Sequence, residues 1–144
     1  MALKHGSKTI TVLKHGSTTI TIGYHGDTQV FTSGSQPSWH TTWTGSYEVD
    51  YSTGSTSISG AVNSSATQID VYYTIYTYNF ETGESSYYDS GNNSSSCSAS
   101  GYSYGDMYVY WSKSGSNLSI STDGYEGLEG IYYAEITRVD SYYA

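Results

Sequence analysis

Proline and cysteine are nearly absent from this chain, with one of each in 144 residues. A lone Cys97 cannot close an internal disulfide, and it has no second thiol with which to form a zinc knuckle. It stands in Ser94-Ser95-Ser96-Cys97-Ser98, where a small filler side chain is the expected role. Leu, Ile, Val and Phe together supply only 22 residues, a share low enough to raise the question of disorder. Charged residues are scarce at 12 %. No run approaches the ~20 apolar residues of a membrane span, so no membrane partner is expected. The opening Met1-Ala2-Leu3-Lys4-His5-Gly6 leads into Thr/Ile alternation with no apolar h-region, so no secretory signal is expected.

Against these absences stand eighteen tyrosines and 45 Ser and Thr residues. Tyrosine buries a large ring and restores the missing hydrophobic area. Low charge with abundant aromatic and Thr residues describes a folded β protein with a hydroxyl-rich surface, not a solvated tail. Charge is divided unevenly. Residues 1–26 hold Lys4, Lys8 and Lys14 and no acid; the rest holds thirteen acids against Lys113 and Arg138, and the whole is -8. So acidic a body repels phosphate backbones, and no nucleic-acid partner is expected. The basic opening suits docking to an acidic partner; protection of edge strands by lysine is an equally good account.

The clearest organisation is a ten-residue repeat. Leu3-Lys4-His5-Gly6-Ser7-Lys8-Thr9-Ile10-Thr11-Val12 is followed by Leu13-Lys14-His15-Gly16-Ser17-Thr18-Thr19-Ile20-Thr21-Ile22, and a third copy begins Gly23-Tyr24-His25-Gly26-Asp27. Each copy joins a His-Gly turn element to one strand, and in Thr9-Ile10-Thr11-Val12 and Thr19-Ile20-Thr21-Ile22 apolar residues take even positions and threonines odd ones. Three such strands are too few to be stable alone. The apolar row Ile10, Val12, Ile20, Ile22 and Val30, with Lys4 and Lys14 beside it, is therefore expected to serve anchoring or oligomerisation. Thr32-Ser33-Gly34-Ser35-Gln36-Pro37-Ser38 reads as a linker. The expected organisation is a repeat segment over 1–32, a linker over 33–38 and a Tyr-rich head over 39–144.

Beyond the linker, strand patterns follow at short spacing: 46–51, 56–62, 68–80, 85–88, 106–111, 117–121 and 131–139. Turns are expected at Thr53-Gly54-Ser55, Glu81-Thr82-Gly83-Glu84 and Ser114-Gly115-Ser116. The longest run places Ile69, Val71, Tyr73 and Ile75 on one face and Asp70, Tyr72, Thr74, Tyr76 and Tyr78 on the other. Met107, Val109 and Trp111 share a face of the 106–111 strand. No stretch has a 3.6-residue period. The fold class is all-β, an antiparallel β-sandwich or compact barrel of about seven strands.

Catalytic signals are weak, and no enzyme and no cofactor is expected. His5, His15 and His25 recur every ten residues, but turn histidines are ordinarily exposed, and no acids stand near to orient metal-bound imidazoles. In a meander, moreover, only His5 and His25 share an end. The 123–130 loop is acidic and glycine-rich, yet its spacing matches no EF-hand. No metal site is assigned to either. Carboxylates for glycoside hydrolysis exist at Glu48, Asp50, Glu81, Glu84 and Asp106, without a pair standing out. No nucleophile elbow or phosphate-binding loop is present.

Tyrosines carry the binding expectation. They are too many for one small core, and Tyr72, Tyr76, Tyr78, Tyr108 and Tyr110 are the candidates for an interface or for stacking on sugar rings. Cross-strand cover of an outer face is the plainer role for the same residues.

The tandem Lys-His-Gly-Ser-Lys-Thr-Ile, Lys-His-Gly-Ser-Thr-Thr-Ile and Tyr-His-Gly-Asp-Thr-Gln-Val segments resemble short repeats in structural proteins of gut bacteriophages, including crAss-like ones. The resemblance covers residues 3–32. It implies a virion component at the particle surface, a head fibre, decoration protein or tail-fibre element. Residues 1–32 would then bind other virion proteins, and the head would project as part of a homotrimer. A carbohydrate-binding module for a host or gut glycan is the alternative reading.

Overall fold

The computed structural model describes residues 4–5, 8–9, 12–15, 18–20, 22–25, 28–32, 37–104, 107–127 and 130–144. They divide into two compact units, 1–37 and 38–143, with Ala144 grouped with the first. No helix occurs among the described residues.

In the first unit, β1 (Lys4–His5) pairs with β2 (Lys8–Thr9), β3 (Leu13–His15) with β4 (Thr18–Ile20), and β5 (Ile22–His25) with β6 (Thr28–Thr32), all antiparallel. Each His pairs with the residue three positions on: His5 with Lys8, His15 with Thr18, His25 with Thr28. This corrects the expectation of one strand per copy in a meander. Every copy closes on itself as a two-stranded ribbon, because a two-residue connection opening on glycine favours the local hairpin over a longer closure. Of the expected anchor residues, Lys4, Lys14, Ile20, Ile22 and Val30 stand on ribbon strands and Val12 is exposed. Ile10 lies outside the described residues.

The second unit is a β-sandwich of two four-stranded antiparallel sheets, and the compact-barrel alternative falls. Its strands are β7 (Ser38–Asp50), β8 (Ser55–Ile58), β9 (Gln68–Asn79), β10 (Ser85–Ser95), β11 (Ser100–Tyr104), β12 (Met107–Ser114), β13 (Asn117–Gly124) and β14 (Gly130–Tyr143). The first sheet runs β10-β9-β14-β7 and the second β11-β12-β13-β8. The last strand, β14, thus occupies the middle of the first sheet, paired along nearly its whole length with β9 on one side and β7 on the other.

The core follows the alternation. Val49 of β7, Ile69, Val71 and Ile75 of β9, and Ala134, Ile136 and Val139 of β14 face Met107, Val109 and Trp111 of β12 and Leu118 and Ile120 of β13. Tyr73 continues the inward row of β9, its ring 5.1 Å from Tyr102 and 5.6 Å from Trp111.

Four boundaries differ from the sequence pattern. Strand β7 starts at Ser38, inside the expected linker, because Ser38 to His40 pair with Ser141 to Tyr143. Strand β8 stops at Ile58; Ala61 and Val62 are buried but leave the ladder, the Val62 amide donating to Ser116 O at 3.0 Å. Strand β10 runs on through Asp89-Ser90-Gly91-Asn92-Asn93, poor strand formers that pairing with β9 nevertheless holds extended. Strand β11 has no apolar alternation to announce it. Asn93 ties β10 to it, donating to Gly101 O at 3.0 Å and accepting from the Ser100 hydroxyl.

Candidate functional site

Pairing across β10, β9, β14 and β7 aligns the outward residues of the first sheet in rows. One row reads Tyr87, Tyr76, Tyr133, Asp50, and the next Ser90, Thr74, Glu135, Glu48. Then come Asn92, Tyr72, Arg138, Thr44 and Ser94, Asp70, Asp140, Thr41. On the other side of the tyrosine row, Ser85, Tyr78 and Ile131 are aligned. Irregularities at Tyr88 and Thr137 shift the register by one residue, and they are why Ser90 and Arg138 share a face with Tyr87 and Tyr133.

The rows differ in chemistry. Tyr76 and Tyr133 stack at 5.2 Å with their planes 17° apart. The Tyr76 phenol is held above its usual range by burial first, then by the charge of Glu135 and by donating a hydrogen bond to it. Glu135 and Glu48 are direct cross-strand neighbours of like charge, an apposition that costs stability. Further along, Arg138 grips Asp140 through Nε at 2.7 Å and Nη2 at 2.5 Å, and its guanidinium lies 4.7 Å from the centre of the Tyr72 ring. Asn92 donates to both oxygens of Asp70, at 3.0 and 2.8 Å. In this second acidic pair Asp140 is ion-paired and Asp70 is hydrogen-bonded within the fold.

At the tyrosine end lies a groove of about 510 Å³, lined by Glu48, Val49, Asp50, Thr53, Tyr78, Ser85, Ile131 and Tyr133. Its size is that of small-ligand sites. Asp50 Oδ1 caps the following turn, accepting from the Ser52 amide at 2.8 Å and the Ser52 hydroxyl at 2.6 Å. Glu48 makes no hydrogen bond or ion pair among the described residues. Of the unit's two basic residues, Arg138 is engaged by Asp140 and Lys113 belongs to β12 of the other sheet.

The candidate tyrosines do not form one surface. Tyr72, Tyr76 and Tyr78 are on the outer face of the first sheet, whereas Tyr108 and Tyr110 are exposed on the outside of the second, opposite Asp123 and Ser121. Only Tyr78 of the five lines the groove. Tyr133 was not among the candidates, and Glu48 and Asp50 were named only among five carboxylates from which no pair stood out. The alternation Glu48-Val49-Asp50, with both acids on one face of a strand whose other face is apolar, was the readable signal for the carboxylates. Nothing local marks Tyr133, because its neighbours come from register.

No residue of the acidic loop lines the groove. In the acidic loop, Glu126 accepts from the Tyr51 hydroxyl at 3.2 Å and Asp123 from the Gly124 amide at 2.7 Å. Among the described residues, no three His, Cys, Asp or Glu side chains converge as metal ligands would. No family model matches the chain, and comparison with curated proteins and with solved structures returns no match.

Proposed function

We propose that this chain is a non-enzymatic surface protein of a bacteriophage particle, of head-fibre, decoration or tail-fibre type. Residues 1–32 associate with copies of themselves, as a trimer, and with other virion proteins; the sandwich over residues 38–143 is the binding head. The observation that carries this reading is the division into two units of different construction and opposite charge. The first is a string of two-stranded ribbons bearing three lysines and Asp27; the second holds twelve acids against two bases around its own core. A two-stranded ribbon is marginal in water by itself, so the repeats need a cover. Association supplies it.

Sedimentation velocity on the full chain and on residues 38–144 tests the proposal, since the sandwich has a complete core of its own. The full chain is expected to sediment as a trimer and the shortened one as a monomer. A monomeric full chain, or an oligomer that persists without the repeats, overturns it. The outward tyrosine row favours a second reading for the head alone, that of a carbohydrate-binding module.

A further inference from the structure

We infer that the groove at the tyrosine end of the first sheet binds a glycan without acidic groups. One sugar ring face lies on Tyr133, and hydroxyls donate to the carboxylate of Glu48. The inference rests on the reading of the sandwich as a binding head and adds the ligand class.

Three features select a sugar. The lining carries a pre-set aromatic ring: Tyr133 is held by its stack on Tyr76, at 5.2 Å and 17°, so little ordering is left to occur on binding. An apolar C–H face of a pyranose is the natural partner of such a ring. The polar groups are mixed: Glu48 and Asp50 accept only, whereas the hydroxyls of Thr53, Ser85, Tyr78 and Tyr133 both donate and accept. A polyol, whose hydroxyls also do both, uses this set fully; an ammonium group, which only donates, leaves the protein's donors idle. Finally, the Glu48 carboxylate is unused by the fold, although a like charge sits directly across from it at Glu135. The first sheet spends its one arginine on Asp140 and brings no base to the groove. Sugars bearing carboxylate, sulfate or phosphate are therefore repelled.

The test titrates the full chain by calorimetry with neutral oligosaccharides of glucose, mannose, galactose and xylose. Polygalacturonate serves as the acidic probe and oligolysine as the cationic one, each at 0.1 and 0.5 M NaCl. A neutral oligosaccharide is expected to bind equally at both salt concentrations. Tyr133→Ala and Glu48→Gln are each expected to weaken it by about tenfold or more, while Tyr110→Ala on the opposite sheet leaves it unchanged. Glu48→Gln keeps size and removes a like-charge contact, so it reports on the site even if Tyr133→Ala folds poorly. Silence of every neutral sugar, binding of oligolysine alone with loss in salt, or sugar binding indifferent to Glu48→Gln and Tyr133→Ala each overturn the inference. A monomeric chain that binds sugar through this groove would sink the anchoring proposal and leave the ligand assignment standing.

Discussion

Removing Arg138 should reverse the acid dependence of stability. Asp140 is only 5 % exposed, and its cross-strand partner on β9 is a second buried carboxylate, Asp70. Burial pushes the Asp140 carboxyl up, but hydrogen bonds from Arg138 and Thr41 and the charge of Arg138 outweigh it, and the group sits below the usual carboxylate range. In the native protein this contribution is present above the unfolded pKa of about 4 and is lost as pH falls through the lower folded value. Deleting one member of a buried pair costs about 3–5 kcal/mol. The Arg138 side chain is 45 % exposed, so water already screens part of the interaction and about 2 kcal/mol is the expected loss at pH 7 for Arg138→Leu. That is roughly a thirtyfold drop in the folded-to-unfolded ratio. In the variant, burial and Asp70 leave the Asp140 carboxylate uncompensated, and its folded pKa rises above the unfolded one. Stability is then greatest at low pH and declines as pH rises through the raised pKa. Urea unfolding between pH 4 and 8 should show Arg138→Leu gaining stability relative to the native protein on acidification to pH 5, where Asp140 adds no slope to the native profile. The double variant Arg138→Leu/Asp140→Asn should recover most of the loss. A variant with the native pH profile would refute the reasoning.

Three further outcomes follow from the packing. A Cβ at Gly101 would lie 1.9 Å from the carbonyl oxygen of Val109 and 2.8 Å from Tyr110 Cα. Gly101→Ala should therefore cost about 2 kcal/mol or more in thermal unfolding; Gly115→Asn, at a φ of 62° with nothing near, should cost well under about 1 kcal/mol. The indole nitrogen of Trp111 is buried without a hydrogen-bond partner among the described residues. Trp111→Phe removes that orphan donor as it loses volume, so it should be far milder in denaturant titration than Trp111→Ala, which should cost about 3–5 kcal/mol. Burial pushes the Cys97 thiol up, with Lys113 opposing more weakly, and its sulfur lies 3.4 Å from Ala66 O. At pH 8 it should react with a disulfide reagent several-fold more slowly than free cysteine, and an equal rate would contradict its placement.

Much of the sandwich was legible from side-chain period. Alternation over 68–80 put Ile69, Val71, Tyr73 and Ile75 on one face, and alternation over 106–111 did the same for Met107, Val109 and Trp111; all but the half-buried Tyr73 are buried in the core. Turn chemistry likewise marked 53–55, 81–84 and 114–116, which separate consecutive strands. The segment from Asp89 to Ser95 was not legible, because its extended form comes from seven paired positions on β9 and not from its own residues. The expected site residues suffered the same limit. Tyr76 and Tyr108 looked equivalent in sequence, since each alternates with apolar neighbours, but they belong to opposite sheets.

By itself, then, the amino-acid order determined the fold class, the inward faces and the charge division, because alternation, turn residues and formal charge are properties of short stretches of chain. Only the tertiary structure decided which tyrosines and carboxylates meet. Tyr133 reaches Tyr76 on one side and Asp50 on the other through pairings between residues 57 and 83 positions apart. Those pairings depend on β14 entering between β9 and β7 and on one-residue bulges that set which side chains face out. A bulge moves every later residue of its strand to the other face, and no local pattern records it.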